Sequence, residues 1–197
     1  MGIISAVLLS QASMTTPSQS HSQPVSPLAE TAFSASPERA QAYLASHGVL
    51  ILDDNRPHLE AVASVCMEVL DIPASQIVLI HASPGLPLST IISETEAALR
   101  KHIELTGASF GSIITDYNLS GGMTSLEVWR AIDASFKAPK GHEYWQRTGR
   151  VLMSASPRDS DIIAAEQCHL IDRYISKPFK LSTLEDAVVA SVLKRLS

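Results

Sequence analysis

Gly48-Val49-Leu50-Ile51-Leu52-Asp53-Asp54 reads as a short strand that ends on two carboxylates. Its apolar residues run without polar alternation, which is how a strand buried on both faces of a parallel sheet reads. The same pattern returns three times. Ser112-Ile113-Ile114-Thr115 runs into Asp116, Val151-Leu152-Met153 into Ser154, and Tyr174-Ile175-Ser176 into Lys177. In an open α/β sheet the C-terminal ends of the strands converge on one crevice, where ligands bind. Three carboxylates, a hydroxyl and a lysine are therefore expected at one edge. Like charges cannot be buried together unpaired, so the constellation asks for a divalent cation and for the lysine.

Between these strands the apolar spacing is helical. Leu59, Val62, Cys66 and Val69 recur on one face behind Pro57, which suits the first turn of a helix. Further strands are expected at Gln76–Ile80 and Arg173–Ser176, and Arg150–Ser154 forms the fourth. Helices are expected over Ser89–Leu105, Ser125–Phe136, Asp159–Cys168 and Leu181–Leu196. Ser36-Pro37-Glu38 is a capping sequence that predicts a short helix over 37–47. Strands alternating with helices demand a parallel sheet with right-handed crossovers. The predicted fold is α/β and flavodoxin-like: a doubly wound five-stranded parallel sheet, order 2-1-3-4-5, with helices on both faces.

The ordered set of an acidic pair, a lone Asp, a Ser and a Lys-Pro resembles the response-regulator receiver domain, over roughly Gly48 to Leu196. Lys177-Pro178-Phe179, with Tyr174 three residues before the lysine, is its most specific part. The resemblance implies that Asp116 is the phosphoacceptor and that Mg2+ is held directly by Asp54 and Asp116. It further implies that Asp53 acts on the metal through water and that the backbone carbonyl of Asn118 supplies another oxygen. Lys177 would bridge Asp116 and then a phosphoryl oxygen, from a position set by a cis bond before Pro178. Ser154 would be the switch hydroxyl, with the small Ala155 beside it, and Tyr174 the switch aromatic. The phosphodonor would be a sensor histidine kinase or a histidine phosphotransferase. A target protein could use the face of the fourth helix, fifth strand and fifth helix of the receiver. Such a protein is a cytoplasmic signalling phosphoacceptor and not an enzyme in the turnover sense.

Two segments depart from that pattern. Residues 82–107 contain a loop with Pro84, Gly85 and Pro87 before an extended helix, and residues 137–148 are expected to form a polar loop carrying His142, Tyr144 and Trp145. The turn after Asp116 carries Leu119-Ser120-Gly121-Gly122 where the family often has Met-Pro.

The receiver domain is expected to span 48–197, behind a disordered tail over 1–36 rich in Ser, Thr, Pro and Gln. The apolar run Ile3–Leu9 has no Lys or Arg beside it, since the first is Arg39, so it does not read as a secretory signal. With the chain ending just after the last helix, a stand-alone receiver is expected. A net charge of −5 argues against nucleic acid as a partner, and no apolar run is long enough to span a membrane. Cys66 and Cys168 lie in helical patterns without metal-ligand spacing and read as reduced packing residues. His58, His81, His102 and His169 show no zinc spacing and carry no assigned role.

Two other classes fit parts of the pattern. A haloacid-dehalogenase-like phosphohydrolase also uses Asp, Ser or Thr, Lys and magnesium, but places its nucleophile in a DxD on the first strand, where this chain has Asp53-Asp54-Asn55. A non-phosphorylated receiver-like interaction scaffold would need none of the five polar stations.

Overall fold

The computed structural model describes residues 36–136 and 139–197, with backbone alone over 139–142. Apart from Ser36, the tail expected over 1–36 lies outside the described residues, as does its apolar run.

Three strands form the buried centre: β1 (Val49–Asp53), β3 (Ser112–Asp116) and β6 (Gly149–Ser154). They are flanked by β2 (Ile77–His81) beside β1 and β7 (Arg173–Ser176) beside β6. The order is β2-β1-β3-β6-β7 and every pairing in this sheet is parallel. This is the expected 2-1-3-4-5 arrangement. The two extra strands, β4 (Asn118–Leu119) and β5 (Met123–Thr124), form a separate antiparallel ribbon after Asp116.

Successive side chains of a strand point to opposite faces, which explains the unbroken apolar runs. Val49 and Ile51 pack beneath α1 (Pro37–His47), α2 (Arg56–Glu68) and α7 (Leu181–Leu196). Leu50 and Leu52 face a second core built by α3 (Leu88–Thr106), α4 (Ser125–Ser135) and α6 (Ser160–Gln167). The four apolar residues of β1 are fully buried, each contributing about 1.5–3 kcal/mol of hydrophobic stabilisation.

Local signals set the helix ends. Ser36 Oγ accepts the Arg39 N–H at 3.4 Å to start α1, and Gly48 ends it with φ +71°. A Cβ at Gly48 would lie 2.1 Å from the Gln76 carbonyl oxygen, so only glycine lets β1 enter beside β2. Asn55 caps α2 through a 3.0 Å bond from the His58 N–H.

The segment expected as a polar loop over 137–148 is instead helical across Pro139–Arg147, as α5. Tertiary packing decides this. Trp145 is buried, its Nε1 donates to Asp133 Oδ1 at 2.9 Å, and its ring stacks under the Arg150 guanidinium at 3.9 Å. Arg150 returns the contact by donating from Nη2 to the Trp145 carbonyl at 2.7 Å. Burial lowers the pKa of Arg150, and it remains a cation at neutral pH because a guanidinium starts far above it.

Neither cysteine is in a disulfide. Cys66 is buried in α2, which pushes its thiol pKa up to about 12. Cys168 is exposed at the end of α6 and not the packing residue expected from its helical pattern, because the helix stops at Gln167.

Candidate functional site

Parallel pairing brings the four strand ends to one level. Asp53 stands opposite His81, Asp116 opposite Met153, and Ser154 opposite Ser176. Asp53, Asp54 and Asp116 each offer a carboxylate oxygen, and these oxygens all lie within 4.8 Å of one another. Lys177 reaches in from the end of β7. Its Nζ lies 3.2 Å from Asp116 Oδ1 and 3.6 Å from Asp53 Oδ2. The fold thus brings together Asp53, Asp54, Asp116 and Lys177.

Asp53 is fully buried. Burial alone would raise its pKa, yet the value is lowered. The His58 hydrogen bond, the Asn55 N–H at 2.8 Å on Oδ1 and the charge of Lys177 outweigh the loss of water. Asp116 behaves in the opposite way. Burial and the neighbouring Asp53 charge raise its pKa despite the lysine. Three carboxylates against one lysine leave a surplus of negative charge at an edge where Asp53 is buried and Asp54 and Asp116 are half-buried, and oxygen donors of this kind suit a hard divalent cation such as Mg2+.

Three site residues were not assigned from the sequence. His58 Nδ1 lies 2.5 Å from Asp53 Oδ2. His81 Nε2 donates to the Asp54 carbonyl at 3.0 Å, with Ser83 Oγ 2.8 Å from its Nδ1. Ser120 Oγ donates to Asp54 Oδ2 at 2.7 Å. Spacing for zinc does not find the histidines, because the relevant proximity is across strands and around a helix turn. Ser120 stands where the receiver family often has proline, and Gly121 and Gly122, with φ +80° and +77°, bend the turn just after it.

Ser154 is fully buried at the end of β6. Its hydroxyl accepts the Ser156 N–H at 3.0 Å, and its carbonyl accepts the Lys177 N–H at 2.7 Å. Lys177 precedes Pro178 through a cis peptide bond. The Tyr174 hydroxyl donates to the Ser156 carbonyl at 2.8 Å, so the residue expected to move is tied to the loop after Ser154. Asn118 begins the β4–β5 ribbon and its side-chain amide donates to Ser156 Oγ at 3.1 Å. A groove of about 460 Å³, walled by Val62, Val65, Phe179 and Leu181, opens beside Lys177.

No protein-family model and no curated protein matches the sequence. Solved structures do share its shape. A two-component response regulator from Cytophaga hutchinsonii superposes with a TM-score of 0.52 at 19% identity, over 74% of this chain and 96% of that one. The signal receiver domain of an HD domain-containing protein from Pseudomonas fluorescens Pf-5 gives 0.50 at 17% identity, over 75% and 95%. An adenylate cyclase structure from Rhodopirellula baltica gives 0.56 at 15% identity, over 76% and 90%. The chain has the response-regulator receiver fold. Within that receiver fold, among the described residues, no helix is long and apolar enough to cross a membrane.

Proposed function

We propose that this chain is a phosphoacceptor receiver of a two-component phosphorelay, with Asp116 as the acceptor. The observation that carries the reading is the juxtaposition of Lys177 Nζ, 3.2 Å from Asp116 Oδ1, with three carboxylate oxygens gathered within 4.8 Å.

A Mg2+ ion would be held by Asp54 and Asp116 directly, by Asp53 through water, and by the Asn118 carbonyl. When bound, it supplies charge neutralisation to the carboxylates and the incoming phosphoryl oxygens. The remaining work belongs to the chain. An Asp116 carboxylate oxygen attacks phosphorus, the phosphorus–nitrogen bond of the donor phosphohistidine breaks, and its electron pair stays on the ring nitrogen. The product is an acyl phosphate on Asp116 and a free histidine. Lys177 orients Asp116 beforehand and then pairs with a phosphoryl oxygen.

The output follows from the loop after β6. A phosphoryl group adds about −1.5 to −2 charge and three acceptor oxygens. The Ser154 hydroxyl exchanges its bond with Ser156 for one of those oxygens, and Tyr174, tied to the same loop, moves with it. The donor is a sensor histidine kinase or histidine phosphotransferase in the cytoplasm, and a target protein reads the face of α6, β7 and α7. The chain is a signalling phosphoacceptor whose only chemistry is self-catalysed transfer and dephosphorylation.

The test is intact mass after incubation with Mg2+ and acetyl phosphate, with Asp116→Asn alongside. A phosphate-sized gain, removed by hydroxylamine and absent in the variant, is expected. No gain at any donor concentration would favour an interaction scaffold, and donor turnover without a trapped intermediate would favour a phosphohydrolase.

A further inference from the structure

His58 is the least expected member of the site. It sits in the first turn of α2, five residues after Asp53, where the Asn55 cap fixes its backbone. Phe179 meets its ring edge-on, with centroids 6.3 Å apart at 65°. Its Nδ1 lies 2.5 Å from Asp53 Oδ2 and 3.2 Å from Lys177 Nζ.

His58 Nδ1 and Asp53 Oδ2 are within hydrogen-bonding reach of each other. A carboxylate oxygen accepts and an imidazole N–H donates, so His58 Nδ1 is the donor to Asp53 Oδ2. A ring nitrogen that carries a proton cannot also accept one. The 3.2 Å approach of Lys177 Nζ to His58 Nδ1 is therefore a meeting of two donors, one on Asp53 Oδ2 and the other on Asp116 Oδ1, and not a bond between them. The lysine stands farther from Asp53, at 3.6 Å, than from Asp116, at 3.2 Å. Burial alone would favour the reverse. The Asp53 side chain is 0% exposed and that of Asp116 is 13% exposed, and attraction between opposite charges is stronger where water is excluded.

Resting on the phosphoacceptor reading above, we propose that His58 is a positioning residue that directs Lys177 to the acceptor. By occupying Oδ2 of Asp53, it leaves the lysine ammonium to Asp116. Without it, Lys177 turns to the deeper carboxylate. Asp116 then meets the phosphodonor without its counter-charge, and the acyl phosphate lacks its lysine partner.

The first measurement is the crystal structure of the metal-free His58→Ala protein. Lys177 Nζ is expected within hydrogen-bond distance of Asp53 Oδ2 and away from Asp116; a lysine still on Asp116 overturns the proposal. The second is the rate of acetyl-phosphate labelling at saturating Mg2+. His58→Ala is expected to be slowed about tenfold, as for loss of an outer-shell partner. His58→Asn, whose Nδ2 donates from nearly the same place, is expected to recover most of the rate. Adding His58→Ala to Lys177→Ala is expected to slow labelling no further, because the two act as a unit. A full additional tenfold loss on the Lys177→Ala background, or a Mg2+ affinity by calorimetry that falls in step with the rate, would mean that His58 serves the metal ligands and not the lysine. If the wild-type protein takes no phosphate at all, the phosphoacceptor reading fails, while the lysine position in the metal-free variant still decides the role of His58.

Discussion

The Ser120 hydroxyl, just before two glycines in left-handed conformation, donates to Oδ2 of Asp54 at 2.7 Å. It fixes the carboxylate proposed as a direct metal ligand, from a chain position where a proline could offer no such bond. Ser120→Ala is expected to weaken Mg2+ binding about tenfold, at the low end for partners that orient metal ligands. Titration calorimetry on the metal-free protein measures this directly, and an unchanged affinity would show that Asp54 needs no such support.

Asp116 and Asp53 make opposite contributions to stability versus pH. Asp116 has a raised pKa in the folded protein, because burial and the Asp53 charge disfavour its ionised form. Its penalty is complete above the raised value and disappears as pH falls toward the ordinary carboxylate range. Asp116→Asn is therefore expected to raise the Tm of the metal-free protein at pH 7. The gap should close in acid. Asp53, whose pKa is lowered against the opposing effect of burial by His58, Asn55 and Lys177, contributes stability above the ordinary carboxylate range that is lost as pH falls through its lowered value. Melting curves of both proteins from pH 7 to pH 3 would separate the two, and a gap that widened in acid would contradict the assignment for Asp116.

Tyr174→Phe removes the 2.8 Å bond from the tyrosine hydroxyl to the Ser156 carbonyl while keeping the ring. The expected loss is about 1 kcal/mol, with faster amide hydrogen exchange confined to the loop between Ser154 and Asp159. Exchange mass spectrometry would report it. Protection equal to wild type would mean that the tyrosine does not hold this loop.

Trp145→Ala removes the buried ring that docks α5, its bond to Asp133 and the surface on which Arg150 stacks. A loss of about 3–5 kcal/mol is expected from the lost burial and the cavity together. Urea unfolding measures it, and helicity by circular dichroism should fall with the loss of α5. A variant of wild-type stability would show that the helix stands without its tryptophan.

The chain's local chemistry was sufficient for the five strands of the main sheet, their parallel arrangement and the five polar stations, but not for the β4–β5 ribbon. Apolar runs such as Val49–Leu52 and Ser112–Thr115 admit few placements other than the middle of a parallel sheet, and a strand end has a fixed address in such a sheet. Asp53, Asp54, Asp116 and Lys177 could therefore be grouped before any contact was known. The helix at Pro139–Arg147 could not, because its polar residues favour a loop until Trp145 finds the Arg150 and Asp133 side chains. The same holds for His58, His81 and Ser120. Each is unremarkable among its sequence neighbours, and each gains a role from a carboxylate that another part of the chain positions. Periodicity records which face of an element is buried, and strand ends record where polar groups converge. Which polar group meets which depends on rotamers and on register between elements, and only the packed tertiary structure decides that.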